Sequence, residues 1–595
     1  MERFRTHRCG ELRAEHSGES VVLAGWLARV RELGGILFLV LRGDDGEVQL
    51  VVDPNDREDL VERLDRARIE STVRIEGEVR LRPEGTENSR LATGEVEVVV
   101  SSLEVLGEAK PLPFTVSGKN NASEHARLQH RYLDLRRERP HRNIRMRSEI
   151  IDFIRQAMIA RGFLEVHTPI LTVSSPEGAR DFLVPARLHP GKFYALPQAP
   201  QQFKQLLMAS GFERYFQIAP CFRDEAGRLD RSPGEFYQLD MEMAFVTQDE
   251  IFEVVEGLML ELFGHFSEWR ITDPFPRIPW REAMNRWGSD KPDLRFGMEL
   301  QDVTEVLRLH GPEFLKRALE PENTSARALV LPGGAGLSRK VFEQYSKELE
   351  GEGGKGLSWL GWSEDGTWRG SWAKHLASAP ALEEHLRGLP DAAPGCAILF
   401  IAEKDLLAMK LAGRLRGRLG REFGMIEEEI FSFCWIVDFP MYEEDEETGQ
   451  IVFSHNPFSM PQGGLEALES KHPLEILAYQ YDLVCNGYEL SSGAIRNHRP
   501  DIMARAFEIA GYPPEALEEK FGALHAAFQY GPPPHGGIAP GIERILMLLL
   551  GEENIREVVP FPMNSKAQDV MMGAPGLVSK EQLDELGLRL VEPKG

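Results

Sequence analysis

Cysteine is scarce in this sequence, and long apolar runs are missing from it. The five cysteines (Cys9, Cys221, Cys396, Cys434 and Cys485) lie far apart and form no CxxC pair, which excludes a zinc ribbon and argues against a disulfide framework. No apolar run approaches the roughly 20 residues that span a bilayer, and the charged N-terminus lacks the apolar segment of a signal peptide. These absences predict a soluble, cytoplasmic protein in a reducing compartment, with no membrane partner.

Positive charge is also in deficit, because 69 Lys and Arg residues stand against 94 Asp and Glu residues, a net charge of -25. A polyanion such as nucleic acid would have to bind local basic patches against the overall field. The 595 residues are enough for about three to five domains, each with its own core. The sequence therefore predicts a modular protein.

The N-terminal part alternates apolar and polar residues in five runs, which predict five strands. The runs are 21–30, 36–42, 47–53, 72–81 and 94–106, and residues 54–68 between the third and fourth have helical spacing. Five strands with a helix after the third resemble an OB-fold barrel, which binds single-stranded oligonucleotides on an exposed face. Arg29, Arg31, Phe38 and Gln49 are the candidate contacts on that face, although a lone Phe in a strand is more often a core residue.

A linker and a strongly basic segment follow, over residues 107–147. Its arginines are Arg127, Arg131, Arg136, Arg137, Arg139, Arg142, Arg145 and Arg147. Such a run is usually a solvated helix face with ion pairs to acidic neighbours. Beside an oligonucleotide-binding barrel, phosphate contact is an equal alternative.

Three further segments point to a ligand site. In "GFLEVHTPIL" we expect a strand interrupted by Pro169, at a boundary between subunits. "RYFQIAPCFRDE" and "EFYQLDMEMAF" predict an antiparallel hairpin with Gln238, Asp240 and Glu242 on one face, which packing alone does not explain. "GIAPGIERILML" places Arg544 at the positive start of a helix after two glycines, an arrangement that suits an anion.

In order, these segments resemble motifs 1, 2 and 3 of the class II aminoacyl-tRNA synthetases. "WGSDKPDLRFGMEL", "YDLVCNGYELSSGAIRNH" and residues 177–208 are similar to the aspartyl-tRNA synthetases of the long bacterial type, in subclass IIb. The resemblance covers essentially the whole chain. It implies an ATP-dependent ligase of protein biosynthesis that joins L-aspartate to tRNA(Asp) through an aspartyl-adenylate.

The resemblance also implies a multidomain α+β fold and a homodimer formed through motif 1. We expect an OB-fold anticodon domain, a catalytic antiparallel sheet of six to seven strands flanked by helices, and an inserted α+β domain. The expected ranges are 1–108 for the OB-fold, 109–139 for a hinge, 140–311 and 416–565 for the two catalytic parts, 312–415 for the insertion and 566–595 for a C-terminal extension.

The same resemblance assigns the substrate contacts. Arg223 and Arg544 are the implied catalytic residues, and Mg²⁺ would bind Asp482 and Glu489. The implied ATP contacts are Arg223, Asp224, Glu225, Phe236, Glu489, Gly541, Ile542, Glu543 and Arg544. The implied aspartate contacts are Glu177, Gln201, Lys204, Arg223, Asp240, His455 and Arg496.

Three alternatives stay open from the sequence. A related ligase, either asparaginyl or a tRNA-independent amide ligase, is opposed by the inserted domain and by "FRDE". A catalytically dead paralogue that only binds RNA is opposed by Arg223, Glu489 and Arg544. Charging of tRNA(Asn) as well as tRNA(Asp) is undecided, because Leu33 resembles enzymes strict for tRNA(Asp) whereas Gly85 resembles the relaxed group.

Overall fold

The computed structural model describes residues 4–55, 57–118, 121–174, 179–232, 234–445 and 448–591. The chain divides into two compact units, Met1–Glu138 and Arg139–Gly595. Within the described ranges, no helix combines the length and the apolar character that a bilayer span requires.

The first unit is built on five strands and a helix. Their bounds are β1 Ser20–Leu33, β2 Ile36–Arg42, β3 Glu47–Val52, α1 Glu58–Arg66, β4 Thr72–Leu81 and β5 Val96–Gly107, followed by α2 Glu124–Gln129 and α3 Arg131–Asp134. The strands close into a barrel in the order β1-β2-β3-β5-β4. Because side chains alternate along a strand, Leu23, Leu39, Leu50, Ile75 and Val98 all point into the barrel and are fully buried. The OB-fold prediction is confirmed.

The basic segment is held by ion pairs in the structure. The buried carboxylate of Asp134 binds the guanidinium groups of Arg127, Arg131 and Arg137 at 2.9, 2.6 and 2.9 Å. Arg136 binds Glu70 at 3.1 Å. These arginines neutralise acidic neighbours, so the structure favours the ion-pair interpretation of this segment over phosphate contact.

The second unit contains the remaining elements. Its helices are α4 Glu138–Ala160, α5 Gln201–Ala209, α6 Gln248–Phe266, α7 Trp280–Trp287, α8 Thr304–His310, α9 Glu313–Ala318, α10 Arg339–Gly351, α11 Ala373–Leu376, α12 Pro380–Arg387, α13 Asp405–Glu422, α14 Gly464–Ser470, α15 Pro500–Ile509, α16 Pro514–Phe528, α17 Ile542–Leu550 and α18 Lys580–Leu586. Its strands are β6 Leu164–Glu165, β7 Leu183–Pro185, β8 Phe193–Ala195, β9 Arg214–Arg223, β10 Gly234–Ala244, β11 Arg270–Ile271, β12 Arg277–Pro279, β13 Gln301–Asp302, β14 Thr324–Leu331, β15 Ser358–Trp362, β16 Trp368–Gly370, β17 Ala397–Lys404, β18 Ile430–Phe431, β19 Phe433–Pro440, β20 Tyr442–Glu444, β21 Ile451–Phe453, β22 Leu477–Cys485, β23 Tyr488–Ile495 and β24 His535–Ile538.

The main sheet has eight strands, in the order β12-β19-β22-β23-β24-β10-β9-β6. The six central strands pair antiparallel, whereas β12 and β6 add a parallel strand at each edge. The antiparallel sheet of six to seven strands that the resemblance implied corresponds to these six central strands, and the two short parallel edge strands extend it to eight.

The strand expected through Pro169 was also wrong. Strand β6 ends at Glu165, and the chain runs on without regular structure. Proline has no N–H to donate to a sheet. Instead, the backbone N–H of Thr168 donates to the side chain of Gln217 on β9 at 3.2 Å.

Helices α4, α6 and α17 cover one face of the main sheet with a shared apolar core. Phe252 of α6 stacks on Trp435 of β19 with ring centroids 4.0 Å apart. A second sheet, β13-β14-β17-β15-β16, carries its own apolar clusters against α8, α10, α12 and α13. The predicted domain boundaries themselves stay predictions.

Candidate active site

Strand β10 divides its side chains between the core and a cavity. Leu239, Met241 and Met243 belong to the apolar core. Because successive side chains point to opposite faces, Asp240 and Glu242 lie on the other face, and both are fully buried there. Two buried carboxylates on one strand need cationic partners.

Two cations from distant segments supply those partners. Lys204 of α5 places its Nζ 2.8 Å from Oδ2 of Asp240 and 3.3 Å from Oε2 of Glu242. Arg496 donates from Nε to Oε1 of Glu242 at 2.9 Å and from Nη2 to Oε2 at 3.3 Å. The four side chains form one buried network of alternating charge, which we call the charge network.

The charge network changes the pKa values of its members. Burial alone would raise the pKa of Glu242, but Arg496 and Lys204 bring it below its usual range. Burial would lower the pKa of the Arg496 guanidinium, but Glu242 raises it. Both groups are therefore charged near neutral pH, and Glu242 fixes the orientation of Arg496.

Gly537 makes this arrangement possible. A Cβ at this position would lie 2.0 Å from Oε2 of Glu242 and 2.1 Å from the carbonyl oxygen of Met241. Only glycine lets β24 pass so close to β10. A Cβ at Gly541 would meet nothing nearer than the Leu490 carbonyl oxygen at 3.8 Å. Gly537 is therefore needed for the packing of β24 against β10.

Arginines line the other end of the cavity. The Arg544 Nη1 donates to the Glu489 carbonyl oxygen at 2.5 Å and lies 3.9 Å from Oε1 of that residue. Arg223 lies over the Phe236 ring, with Cζ 5.0 Å from the ring centroid, and its Nε is buried without a partner among the described residues. This end of the cavity is suited to an anion and a flat ring.

Two carboxylates on neighbouring strands lie beside these arginines. Asp482 on β22 is buried, and its Oδ1 has no hydrogen-bond partner in the part of the chain that the structure describes. Burial and the charge of Glu489 raise the pKa of Asp482 well above its usual value. Burial would also raise the pKa of Glu489, but Lys291 and Arg544 hold it below its usual value.

The cavity has a volume of about 300 Å³, at the lower end of the range for small-molecule sites. Most residues assigned from the resemblance line it together. These are Gln201, Lys204, Arg223, Glu225, Phe236, Asp240, His455, Glu489, Arg496, Gly541, Glu543 and Arg544.

The other assigned residues are placed differently. Ile542 is fully buried in the apolar core, and Asp224 is exposed. Asp482 is buried and is not among the residues that line the cavity, and Glu177 falls outside the described residues. Glu543 lines the cavity, but its carboxylate binds Arg147 at 2.7 Å and accepts from the backbone N–H of Tyr237 at 3.0 Å. The roles assigned to these residues stay predictions.

Sequence reasoning gave Glu242 no specific role, and it missed Lys291 and Ser491 as site residues. Glu242 was seen on the polar face of β10, but a strand pattern does not show that its partner is Arg496. Lys291 lies in the segment "WGSDKPDLRFGMEL" and binds Glu489 at 3.0 Å. Ser491 lines the cavity with a buried hydroxyl that has no partner among the described residues.

The candidate anticodon residues share one outer face of the barrel in the first unit. Arg29 pairs with Val40, Arg31 with Phe38, and Gln49 with Val40 across the strands. Phe38 is half-buried and does not belong to the barrel core, so its interpretation as a core residue is wrong. Arg29 also binds Glu47 at 2.5 Å, and Gln49 donates to Glu97 at 2.8 Å.

Two family profiles match the chain. The profile "tRNA synthetases class II (D, K and N)" matches residues 123–565. The profile "OB-fold nucleic acid binding domain" matches residues 21–106.

Full-length relatives are also similar to this chain. An aspartate–tRNA ligase from Streptomyces avermitilis is 55% identical over 595 residues, with 100% of both chains covered. An aspartate–tRNA(Asp/Asn) ligase from Phenylobacterium zucineum is 54% identical, also with 100% of both chains covered. Among solved structures, the asparaginyl-tRNA synthetase of Pyrococcus horikoshii complexed with asparaginyl-adenylate superimposes with a TM-score of 0.56 at 21% identity, covering 93% of this chain and 97% of the other. At that identity the structural likeness supports the fold alone.

Proposed function

Because this chain belongs to the aspartate–tRNA ligase family of the class II tRNA synthetases, we propose that its cavity activates L-aspartate with ATP and transfers it to tRNA(Asp). The observation that carries this proposal is the buried charge network beside a cavity end lined by Arg223 and Arg544. Both substrates of the first step would then lie in one cavity.

L-Aspartate carries two carboxylates and one ammonium, and the charge network offers partners of both signs. Arg496 and Lys204 are the cations for the side-chain carboxylate. The ammonium fits Asp240, whose Oδ1 is buried without a partner among the described residues. Gln201 and His455 complete this wall, and Glu177 is proposed from the resemblance alone.

ATP is the second substrate of this family, and its contacts follow from the opposite end of the cavity. Adenine would stack between Phe236 and Arg544. Arg223 would bind the α-phosphate and the reacting carboxylate, because its unpartnered Nε is already desolvated. We propose Asp224, Glu225, Gly541, Ile542 and Glu543 as the surrounding ATP contacts.

We propose Asp482 and Glu489 as the residues that would hold Mg²⁺. Oδ1 of Asp482 has no partner among the described residues, and the second carboxylate is that of Glu489. Together the two carboxylates offer hard oxygen ligands. Within the described residues, no group of three or more potential ligands forms a complete metal cage. Mg²⁺ does not need one, since it is usually held by one or two carboxylates with waters and substrate phosphates.

The chemistry then depends on positioning and charge. An aspartate carboxylate oxygen attacks the α-phosphorus, the bond to the bridging oxygen breaks, and pyrophosphate leaves. Arg223 stabilises the negative charge on the phosphoryl oxygens, and bound Mg²⁺ would supply further neutralisation there. In the second step the 3′-hydroxyl of the tRNA attacks the aspartyl carbonyl and AMP leaves.

For tRNA, we propose that Arg29, Arg31, Phe38 and Gln49 contact the anticodon through stacking and polar contacts. The relatives do not decide whether tRNA(Asn) is also charged. Ligases named for tRNA(Asp/Asn) match this chain almost as well as ligases named for aspartate alone. The two sequence features disagree as well, because Leu33 favours an enzyme strict for tRNA(Asp) and Gly85 favours the relaxed group. Aminoacylation of tRNA(Asp) and tRNA(Asn) transcripts in parallel decides between the two specificities.

We also propose a homodimer. From the last turn of α4 onward, the chain exposes apolar side chains that a monomer would leave in water. We define the motif 1 patch as Ile159, Leu164, Ile170, Leu171 and Val173. Clustered exposed apolar residues are typical of interaction surfaces.

One experiment tests the proposed activity. Exchange of pyrophosphate into ATP should depend on L-aspartate, without any need for tRNA, and should fail with L-asparagine. Aspartylation of tRNA(Asp) should follow when tRNA is added. Exchange that prefers asparagine would identify an asparaginyl enzyme, and tRNA binding without exchange would identify a dead paralogue.

A further inference from the structure

Lys291 is a cation next to the proposed magnesium ligands that the function described above does not use. Its Nζ lies 3.0 Å from Oε2 of Glu489 and 3.6 Å from Oδ2 of Asp290. The residue follows α7, on the loop that leads to β13. A lysine ammonium at ion-pair distance from two carboxylates is charged near neutral pH.

The loop that carries Lys291 is held firmly in place. The Lys291 backbone N–H donates to the Ser289 hydroxyl at 3.0 Å. Arg416 of α13 is buried and donates to four carbonyl oxygens of the same loop, those of Asp293, Phe296, Gly297 and Met298, at 2.7 to 3.1 Å. The backbone of Lys291 is thus fixed, while its flexible side chain can move.

The charges around Glu489 explain why a cation is needed there. Asp482 and Glu489 lie on the paired strands β22 and β23, and the buried Oδ1 of Asp482 has no partner among the described residues. Two adjacent carboxylates in a desolvated site repel each other unless a cation lies nearby. Among the described residues, Lys291 is the cation nearest to the Glu489 carboxylate, since Arg544 Nη1 lies 3.9 Å from Oε1.

We propose that Lys291 is a positioning residue whose ammonium is the counter-cation of Glu489 while no divalent cation is bound, so that a metal ion entering the site must displace it. The inference rests on the proposed function, which assigns Asp482 and Glu489 to Mg²⁺. Mg²⁺ binds its oxygen ligands at about 2.0–2.1 Å. An ammonium hydrogen-bonded to that oxygen repels the incoming ion. Asp290 can hold the displaced ammonium.

The test is binding of Mn²⁺ to the nucleotide-free full-length protein, measured from the electron paramagnetic resonance signal of unbound Mn²⁺. Removing a unit charge a few ångströms from the metal should tighten binding at least about tenfold in Lys291→Met. Lys291→Gln, which has a polar but uncharged side chain, should tighten it similarly. Lys291→Arg keeps the charge and should bind as the wild type does.

The controls separate this inference from the proposed function. Lys340→Met removes the charge of an exposed lysine on α10 and should leave binding unchanged. Glu489→Gln combined with Lys291→Met should abolish the gain. Unchanged or weaker binding in Lys291→Met and Lys291→Gln overturns the inference alone, as does an equal gain in Lys340→Met. If no binding responds to Asp482→Asn or Glu489→Gln, with or without ATP, the proposed metal site fails as well.

Discussion

At the scale of single residues, the cavity combines satisfied charges with polar atoms that have no partner. Lys204, Glu242 and Arg496 satisfy one another. In contrast, Arg223 Nε and Asp240 Oδ1 are buried without a partner among the described residues. Leaving such an atom unsatisfied costs about 1–3 kcal/mol. A ligand that supplies the missing partners gains affinity from groups that are already desolvated.

Our first prediction concerns the choice of amino acid. Arg496→Leu would leave a buried carboxylate of the substrate without its main partner, at a cost of about 3–5 kcal/mol. At roughly 1.4 kcal/mol per tenfold, aspartate activation should fall by about two to four orders of magnitude. Asparagine activation should fall far less, and Arg496→Lys should be intermediate because a point charge cannot replace the planar fork. Pyrophosphate exchange with each amino acid measures this.

The variant also removes a partner of Glu242, so thermal unfolding must be measured beside activity. An unchanged ratio of aspartate to asparagine in a folded Arg496→Leu protein would show that Arg496 does not recognise the substrate side chain. Lys204 would then be the leading candidate, because it is the second cation of the charge network.

A second prediction concerns His535, which is buried next to Glu242 and Arg496 of the charge network. Its Nε2 lies 3.3 Å from Gln205 Oε1. Burial lowers the pKa of His535 from 6.5 to about 4. Between pH 6.5 and pH 4, His535 is protonated in the unfolded chain but stays neutral in the folded chain. The free energy of unfolding therefore falls as the pH drops from 6.5 towards 4. The free energy of unfolding should lose roughly 2 kcal/mol from this group by pH 5.

In His535→Gln that pH-dependent loss should disappear, although the variant is expected to be less stable than wild type at pH 7. Thermal unfolding at pH 7 and pH 5 compares the two slopes. The exposed His189→Gln should keep the wild-type slope. An identical slope in His535→Gln would mean that other groups cause the acid sensitivity.

At the scale of elements, long alternating strands were predictable and short ones were not. The β9–β10 hairpin and the barrel strands follow the sequence pattern closely, because one face of each is apolar. Strand β12 has only three residues and showed no pattern, whereas β6 was expected but is only two residues long instead of running through Pro169. The charge network was only partly predictable. The pattern of β10 placed Asp240 and Glu242 on one face, but Arg496 follows β23 and reaches Glu242 only because β24 pairs with both β10 and β23, which no local pattern encodes.

The third prediction belongs to strand β2. Phe38 lies on the outer face beside Arg31, whereas its neighbour Leu39 is fully buried in the barrel. Phe38→Ala should weaken aminoacylation of tRNA by about 1–3 kcal/mol, because base stacking is lost. Pyrophosphate exchange should be nearly intact, since the proposed ATP contacts belong to the second unit.

Leu39→Ala is the matched control, because it should destabilise the barrel by about 2–5 kcal/mol instead of removing a surface contact. Thermal unfolding of the full-length protein distinguishes the two variants, because Leu39→Ala should lower the temperature at which the barrel unfolds. Equal losses of exchange and aminoacylation in Phe38→Ala would contradict a role limited to the anticodon.

At the scale of the whole molecule, the net charge of -25 opposes a polyanionic partner. The arginines of the basic segment do not reverse this, because several are neutralised by Asp134 and Glu70. We therefore expect recognition of tRNA to depend on a few positive positions, such as the proposed contact Arg31 on the barrel face. Attraction at long range is weak in this arrangement, so specificity must come from close contacts.

The last prediction concerns assembly of whole chains. The motif 1 patch includes Leu164 and Leu171, which are 50% and 54% exposed. If a second copy covers them, the wild type should sediment at twice the chain mass of 67.1 kDa. The double substitution Leu164→Glu and Leu171→Glu would place charges in an apolar interface and should release monomers. Leu309 is 65% exposed on α8, outside the patch, and Leu309→Glu should leave the dimer intact. A folded double variant that still sediments with the wild type would show that the motif 1 patch is not the interface, and a wild-type monomer would refute the dimer itself.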